Sequence, residues 1–115
     1  MEFKVLTKWT DTRGRLYPKD EMIAQMQRLT DSGQFYGELG YSESLVLELN
    51  KMSHMIKSFR VDENDDLFIT VKWLKTPCGL IAETLSEKRT SVRSVGIVQN
   101  NVISELKLIS IDIVT

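Results

Sequence analysis

The sequence predicts an α+β domain with two short helices and a sheet that is mainly antiparallel and barrel-like. Two observations carry this prediction. The elements follow the order β-α-β-β-β-α-β-β, and most connections between strands have the length and composition of hairpin turns. Hairpins join antiparallel strands, whereas parallel strands need long crossovers. The 115 residues suit a single domain, which we expect to span residues 1–115.

The first third of the chain predicts a strand and then a helix. Apolar and polar residues alternate over residues 2–9, as in a strand with one buried face. Pro18 suits the first turn of a helix, and residues 31–33 carry a stop signal that ends in glycine. Between them lies an apolar stripe at helical spacing, formed by Met22, Ile23, Met26 and Leu29. We interpret this stripe as core packing rather than as a partner-binding face.

The middle of the chain predicts a hairpin with an acidic turn. Residues 35–40 fit a loop or a short strand, and residues 45–49 fit either a strand or a helical turn. Strands over residues 52–61 and 67–74 flank the acidic run 62–66. Such a run can bind a hard cation. It lacks the glycine and the distal glutamate of a calcium loop, so a solvated turn is favoured, and we predict neither a metal site nor a cofactor.

The last third predicts a helix and a second hairpin. Residues 77–79 have the composition of a chain breaker, and residues 80–88 follow as a short helix with basic residues at its negative end. Strands over residues 91–98 and 102–114 flank the turn 99–101, whose residues tolerate positive φ. The last strand is apolar on both faces near its end, which indicates a central position.

Composition excludes several classes of function. Fifteen basic and sixteen acidic residues give a net charge of −1, which offers no footprint for nucleic acid or an anionic membrane. Cys78 is the only cysteine, so no intramolecular disulfide forms and a reducing cytoplasm is expected. One cysteine and one histidine do not make a structural zinc site. The apolar runs are too short to span a bilayer, and the first residues have no signal-peptide layout.

A serine-hydrolase site is the sharpest chemical hypothesis that the residues offer. Ser91 stands at the start of a strand, and Asp112 lies on a later apolar strand. A serine hydroxyl needs a base within roughly 2.6–3.2 Å. His54 is the only histidine, so this hypothesis depends on whether His54 reaches Ser91. A lone histidine on an apolar face is more often a hydrogen-bonded structural residue.

Three further charged residues have structural and functional interpretations. Asp112 in an apolar strand must be paired, solvated or neutral, and Arg93 is the expected partner across the sheet. A structural ion pair and a remnant of a catalytic site both stay open there. Glu38 either caps backbone amides or pairs with Arg15, or it shapes the rim of a site.

Several segments, taken in order, also resemble a known family. They are Gly14-Arg15-Leu16-Tyr17-Pro18-Lys19, Gly37-Glu38-Leu39, Ser91-Val92-Arg93-Ser94-Val95-Gly96, Lys107-Leu108 and Ile111-Asp112-Ile113-Val114. The set resembles the prohead core proteases of T4-type tailed phages, which are capsid maturation serine proteases that share a fold with the herpesvirus assemblin proteases. The resemblance runs from Phe3 to Val114, without the propeptide and tail segments of the full-length proteases.

The resemblance implies positions for the nucleophile and the acidic residue, but the chain has no histidine where the family has its base. It places Ser91 on the family's nucleophile and Asp112 on its acidic residue. The family's catalytic histidine closely follows the glycine-glutamate-leucine triplet, and here Tyr41 stands in its place. The chain also departs from the family at Val92 and Ser94, where serine and glycine are typical. A tyrosine, with an ordinary pKa of about 10, replaces histidine poorly as a base.

These observations lead to one expectation and two alternatives. We expect a phage-derived, non-proteolytic relative that binds a protein partner, either a capsid or scaffold protein or a host protein, with Tyr41, Glu38 and Arg93 shaping the site. We expect it in the host cytoplasm, with the prohead or virion as a further location and an oligomer left open. One alternative is an active prohead serine endopeptidase that uses Ser91, His54 and Asp112. The other is a structural component of the prohead core.

Overall fold

Six strands and two helices make up the chain in a computed structural model that describes residues 1–115. In chain order they are β1 (Glu2–Leu6), α1 (Lys19–Asp31), β2 (Tyr36–Glu38), β3 (Met52–Val61), β4 (Leu67–Trp73), α2 (Pro77–Thr84), β5 (Arg89–Gln99) and β6 (Val102–Val114), with a 3-10 turn at Leu49–Lys51 before β3. Every predicted strand and both predicted helices are present. For residues 35–40, which fitted either a loop or a short strand, the structure has the short strand β2.

The strands form two sheets. A four-stranded sheet has the order β1-β4-β3-β2, and a two-stranded sheet contains β5 and β6. All paired strands are antiparallel. A parallel bridge from Leu39, directly after β2, to Ile113 of β6 joins the two sheets, and a second parallel bridge ties Leu16, in the loop before α1, to Val102. The α+β class with a mainly antiparallel sheet is therefore confirmed. The sheet is not closed, because the only hydrogen bond between β5 and β1 comes from the Thr90 hydroxyl, 3.3 Å from the Lys4 carbonyl oxygen.

The second helix differs from its predicted bounds. It starts at Pro77 and ends at Thr84, whereas helical spacing indicated residues 80–88. The apparent breaker is the first helical turn, because proline needs no amide hydrogen there and the Thr76 hydroxyl accepts a hydrogen bond from the Gly79 amide at 3.0 Å. Lys88 lies beyond the helix and donates to two carbonyl oxygens near its end, at 3.0 and 2.8 Å.

The acidic residues between β3 and β4 form a turn that hydrogen bonds and ion pairs stabilise. Asp62 Oδ1 accepts the amides of Asn64 and Asp66 at 3.0 and 2.9 Å. The neighbouring carboxylates form surface ion pairs, such as the one from Asp65 to Lys19 at 2.8 Å. Within the acidic run, the Asp62 carboxylate therefore binds backbone amides of the turn, and the neighbouring carboxylates pair with lysines, as Asp65 does with Lys19.

The core lies between the sheets and α1. Its fourteen apolar side chains are Leu6, Trp9, Tyr17, Met22, Met26, Phe35, Ile56, Leu67, Ile69, Val71, Ile103, Leu106, Leu108 and Ile111. The helix contributes Met22 and Met26, both fully buried, so the stripe predicted from helical spacing does pack into the core. Neither helix is long and apolar enough to cross a membrane.

Candidate functional site

Ser91 and Tyr41 line one cleft of about 420 Å³, most of whose lining residues are polar. The start of β5 forms one wall, and the loop after β2 and the turn near Asp11 form others. Arg13 and Arg89 also line the cleft. The two residues that the family resemblance placed on the nucleophile and on the missing base are thus brought together by the fold.

Tyr41 is held at the mouth of this cleft from two directions. The preceding residue, Gly40, donates its amide to the Ile113 carbonyl oxygen at 2.8 Å, which ties the loop to β6. The Tyr41 hydroxyl accepts a hydrogen bond from Arg89 Nη2 at 3.0 Å. The ring is 65% exposed, so it is available to a ligand rather than part of the core.

A buried ionic cluster lies on β5 and β6 beside Ser91. Arg93 donates from Nε to Asp112 Oδ2 and from Nη2 to Asp112 Oδ1, each at 3.0 Å. Asp112 Oδ1 also accepts the Glu38 amide and the Ser110 hydroxyl, both at 2.9 Å. Arg93 Nη2 lies 3.3 Å from Glu38 Oε1. All four residues are buried, and the predicted pairing of Arg93 with Asp112 is confirmed.

The balance of charge in this cluster keeps the guanidinium protonated. Burial acts to lower the pKa of Arg93, but the hydrogen bonds to Asp112 and the negative charges of Asp112 and Glu38 raise it overall. One cation therefore faces two carboxylates. Paired buried charges of this kind depend on each other, because removing one leaves the rest uncompensated.

Glu38 differs from its predicted partner. It caps a backbone amide as expected, since Oε2 accepts the Glu48 amide. Its ion pair is with Arg93 and not with Arg15, whose Nε lies 3.3 Å from Asp11 Oδ2. Arg15 sits in the turn that Asp11 organises, so a local partner only four residues away captures it.

His54 lies outside the cleft and is fully buried. Its Nε2 is 2.8 Å from the Ile111 carbonyl oxygen and its Nδ1 is 2.7 Å from Ser53 Oγ. A carbonyl only accepts, so Nε2 carries the proton and Nδ1 accepts from the hydroxyl. Burial lowers the pKa of His54, although the hydrogen bond to Ile111 and the charge of Asp112 oppose this effect. The ring is a neutral structural group with both nitrogens occupied.

Gly37 is required by the position of this imidazole. It pairs with His54 in the β2–β3 ladder, and a Cβ built on it would stand in the space of His54 Nε2 and the Ile111 carbonyl oxygen. The first residue of the glycine-glutamate-leucine triplet therefore makes room for the hydrogen bond from β3 to β6.

The structure thus separates the three members of the hypothetical triad. Ser91 lines the cleft, and Asp112 is its direct neighbour across the β5–β6 ladder. The Asp112 carboxylate is engaged by Arg93, Ser110 and the Glu38 amide. None of its hydrogen bonds goes to His54, and His54 is not among the residues that line the cleft.

Sequence reasoning missed the two arginines of the cleft. Arg89 was assigned to the end of a helix, but it is the first residue of β5 and hydrogen-bonds to Tyr41. It lies two positions before Ser91, and side chains two positions apart in a strand share a face, so strand alternation was the available signal. Arg13 lies in the turn after Asp11, and outside strands and helices the sequence has no periodicity that predicts which way a side chain points.

Comparison with known proteins identifies the fold. No protein-family model matches the chain, and no curated protein does. Among solved structures, the chain is similar to the capsid assembly protease gp21 of bacteriophage T4. The TM-score is 0.80 and the sequence identity is 16%, and the match covers 99% of this chain and 80% of that one. The prediction of a prohead-protease-like fold is confirmed, and at this identity the likeness concerns the fold alone.

Proposed function

We propose that this protein acts in phage capsid assembly by binding a protein partner at the Ser91–Tyr41 cleft, without cleaving it. The fold of the T4 capsid assembly protease supports the setting. The single observation that carries the loss of proteolysis is that the cleft which contains Ser91 has Tyr41 in its lining and no histidine.

The carboxylate of Asp11 does not replace the missing histidine as the base for Ser91. Asp11 lines the same cleft, but its carboxylate already accepts four hydrogen bonds. These come from the amides of Arg13 and Arg15, from Arg15 Nε and from the Tyr17 hydroxyl. A carboxylate with its lone pairs occupied in this way is a structural acceptor, and it has no free site for the serine proton.

The cleft nevertheless suits recognition. Most of its lining residues are polar, and it carries an exposed aromatic ring, Tyr41. Exposed tyrosines supply large contact area at a low cost in side-chain entropy, and they are enriched at protein interfaces. The Arg89 hydrogen bond fixes the ring, which reduces the entropy that binding would otherwise cost.

The chemical half of this proposal is tested with a fluorophosphonate probe that labels activated serines. We expect no labelling above the level of Ser91→Ala, because an unassisted hydroxyl does not react at an appreciable rate. Rapid, stoichiometric labelling at Ser91 that Ser91→Ala abolishes would overturn the proposal and establish a serine endopeptidase-like site instead.

The binding half is tested by photocrosslinking. A benzoylphenylalanine residue replaces Tyr41, and in a matched control it replaces Arg28, which is exposed on α1. During phage infection we expect a specific adduct from position 41 alone, with a capsid or scaffold protein. Adducts that are equal at both positions, or none at all, would contradict binding at the cleft, and a host protein in the adduct would move the function to the host.

A further inference from the structure

The outer face of the four-stranded sheet is left uncovered. Its side chains stand in rows across the strands, and they are Tyr36, Met55 and Lys72, then Ser58, Thr70 and Glu2, then Arg60, Phe68 and Lys4. None of them is buried, whereas alternate residues such as Ile56, Ile69 and Val71 are buried in the core. An antiparallel sheet can present one face to water, so this face is free to contact another molecule.

A β-bulge in β3 adds a further cation to this face. The register shifts between Ile56 and Ser58, which makes Lys57 the extra residue, and both Lys57 and Ser58 are exposed. Strict alternation would turn two neighbouring side chains to opposite faces, and a bulge re-aims one of them. The cationic side chains of the face are therefore Lys4, Lys57, Arg60 and Lys72, against the single carboxylate of Glu2.

Two of these cations are balanced within the chain. Arg60 pairs with Glu2 at 2.8 Å, and Lys4 pairs with Asp66 at 3.3 Å. Both pairs lie at the end of the face nearest the acidic turn. Since their charges are compensated locally, this end offers little to a charged partner.

The opposite end of the face keeps its positive charge. Lys57 and Lys72 lie on adjacent strands, and neither makes an ion pair. Tyr36 and Met55 stand in register with Lys72 and are only half-buried. Tyrosine and methionine are enriched at protein interfaces. This end thus combines uncompensated positive charge with apolar contact area.

We propose that the surface formed by Tyr36, Met55, Lys57 and Lys72, the Lys57–Lys72 surface, binds an acidic segment of a partner protein. Charge complementarity selects the occupant, because carboxylates of the segment supply the counter-charges that the two lysines lack. Apolar side chains of the segment cover the tyrosine and the methionine. A nucleic acid fits less well, because its affinity comes from many phosphate contacts, and only two cations of this face are unpaired.

The Lys57–Lys72 surface is separate from the Ser91–Tyr41 cleft. None of its four residues lines that cleft, so the inference goes beyond the proposed function, and the failure of one leaves the other standing. The cleft has cations of its own, Arg13 and Arg89. An experiment with an acidic probe therefore has to distinguish the two places.

Fluorescence anisotropy with a labelled peptide of alternating glutamate and leucine tests the inference. Lys57→Gln and Lys72→Gln together should weaken binding of this peptide by at least about tenfold. Arg28→Gln and Lys107→Gln remove the same charge from exposed positions on α1 and β6, and they should leave the affinity nearly unchanged. No binding of the peptide, equal losses in the two double variants, or equal binding of a peptide with glutamine in place of glutamate would overturn the inference.

Two further titrations separate the alternatives. Arg13→Gln with Arg89→Gln reports on the cleft. If this pair loses the glutamate peptide while the Lys57 and Lys72 variant keeps it, the acidic segment binds in the cleft and the inference is overturned. Tighter binding of an oligothymidylate than of the peptide, abolished by the Lys57 and Lys72 variant, would assign the surface to nucleic acid and also overturn it.

Chemical crosslinking locates the bound peptide without a variant. A carbodiimide joins a carboxylate to an amine that it contacts, and mass spectrometry identifies the lysine. We expect adducts of the glutamate peptide at Lys57 and Lys72, and at most background at Lys107, which is equally open to solvent. Adducts spread evenly over the exposed lysines would contradict a specific surface.

Discussion

Arg93 holds both carboxylate oxygens of Asp112, each at 3.0 Å, in a pair that is closed to solvent. The same side-on geometry recurs on the surface, where Arg60 donates from Nε and Nη2 to the two oxygens of Glu2, each at 2.8 Å. The two pairs differ in burial and not in geometry. Together they separate the contribution of burial from that of the hydrogen bonds.

Removing the buried cation should destabilise the fold strongly. Arg93→Met leaves the carboxylates of Asp112 and Glu38 buried without a counter-charge, a change that typically costs about 3–5 kcal/mol. Chemical denaturation followed by circular dichroism measures the free energy of unfolding. The control is Arg60→Met, which breaks the exposed pair and should shift the unfolding midpoint only slightly, because solvent and salt screen it. Equal losses in the two variants would contradict the role of burial.

Acidification should destabilise the fold through His54. Burial lowers its pKa in the folded protein, whereas the unfolded chain has a pKa of about 6.5. Below that pH the unfolded chain binds a proton that the folded chain refuses, so the free energy of unfolding falls with decreasing pH. The slope is at most about 1.4 kcal/mol per pH unit, and it starts as the pH drops through about 6.5.

Two measurements check this effect. His54 is the only histidine, so one imidazole resonance in the NMR spectrum reports its protonation, and the folded ring should titrate at a lower pH than the ordinary value of about 6.5. Stability curves between pH 7.5 and 5.5 should be flatter for His54→Gln than for the native chain. Titration of the folded imidazole at an ordinary pKa would show that the ring reaches solvent.

Gln25 should protect the edge of β6. Its side-chain amide bonds to one carbonyl and one amide of that strand, so Gln25→Met leaves both groups unpaired, at a cost of about 1–3 kcal/mol. Exchange of the Leu108 amide should accelerate. Gln27→Met is the matched control, because Gln27 lies on the same helix and bonds only to Asp31 on the surface. An unchanged Leu108 amide in the Gln25 variant would show that water replaces the side chain at no cost.

Local chemistry explains why so much of the fold could be predicted. Asn100 and Asn101 both adopt positive φ, 52° and 62°, and asparagine tolerates that conformation, so the last hairpin is encoded at its turn. The bounds of α2 were missed because Pro77 can either break a helix or open one. Only Thr76, which caps the first turn, decides between the two.

The pairing of Arg93 with Asp112 could be predicted, because a charged side chain in an apolar strand has few ways to be stabilised. Asp112 in an apolar strand had to be paired, solvated or neutral, and Arg93 lay within reach across the sheet as the pairing cation. The partner of Glu38 was not predictable, because Arg15 and Arg93 are equally suitable by charge and only the packing of β2 against β6 selects Arg93. The same packing places His54 against the Ile111 carbonyl oxygen rather than beside Ser91.

Tyr41→His should convert the cleft into a site with a base. Tyr41 and Ser91 line the same cleft, and Arg93 with Asp112 already forms the buried cluster beside them. Loss of a triad member typically lowers turnover by a factor on the order of 10⁴ to 10⁶. Partial restoration should therefore raise the rate of fluorophosphonate labelling at Ser91 by at least about tenfold.

The matched control is Tyr41→Phe, which removes the hydroxyl and supplies no base, and it should label no faster than the native chain. An additional Ser91→Ala change should abolish any gain. If Tyr41→His folds normally and labels like Tyr41→Phe, position 41 is not placed to activate Ser91, and the cleft is not an interrupted hydrolase site.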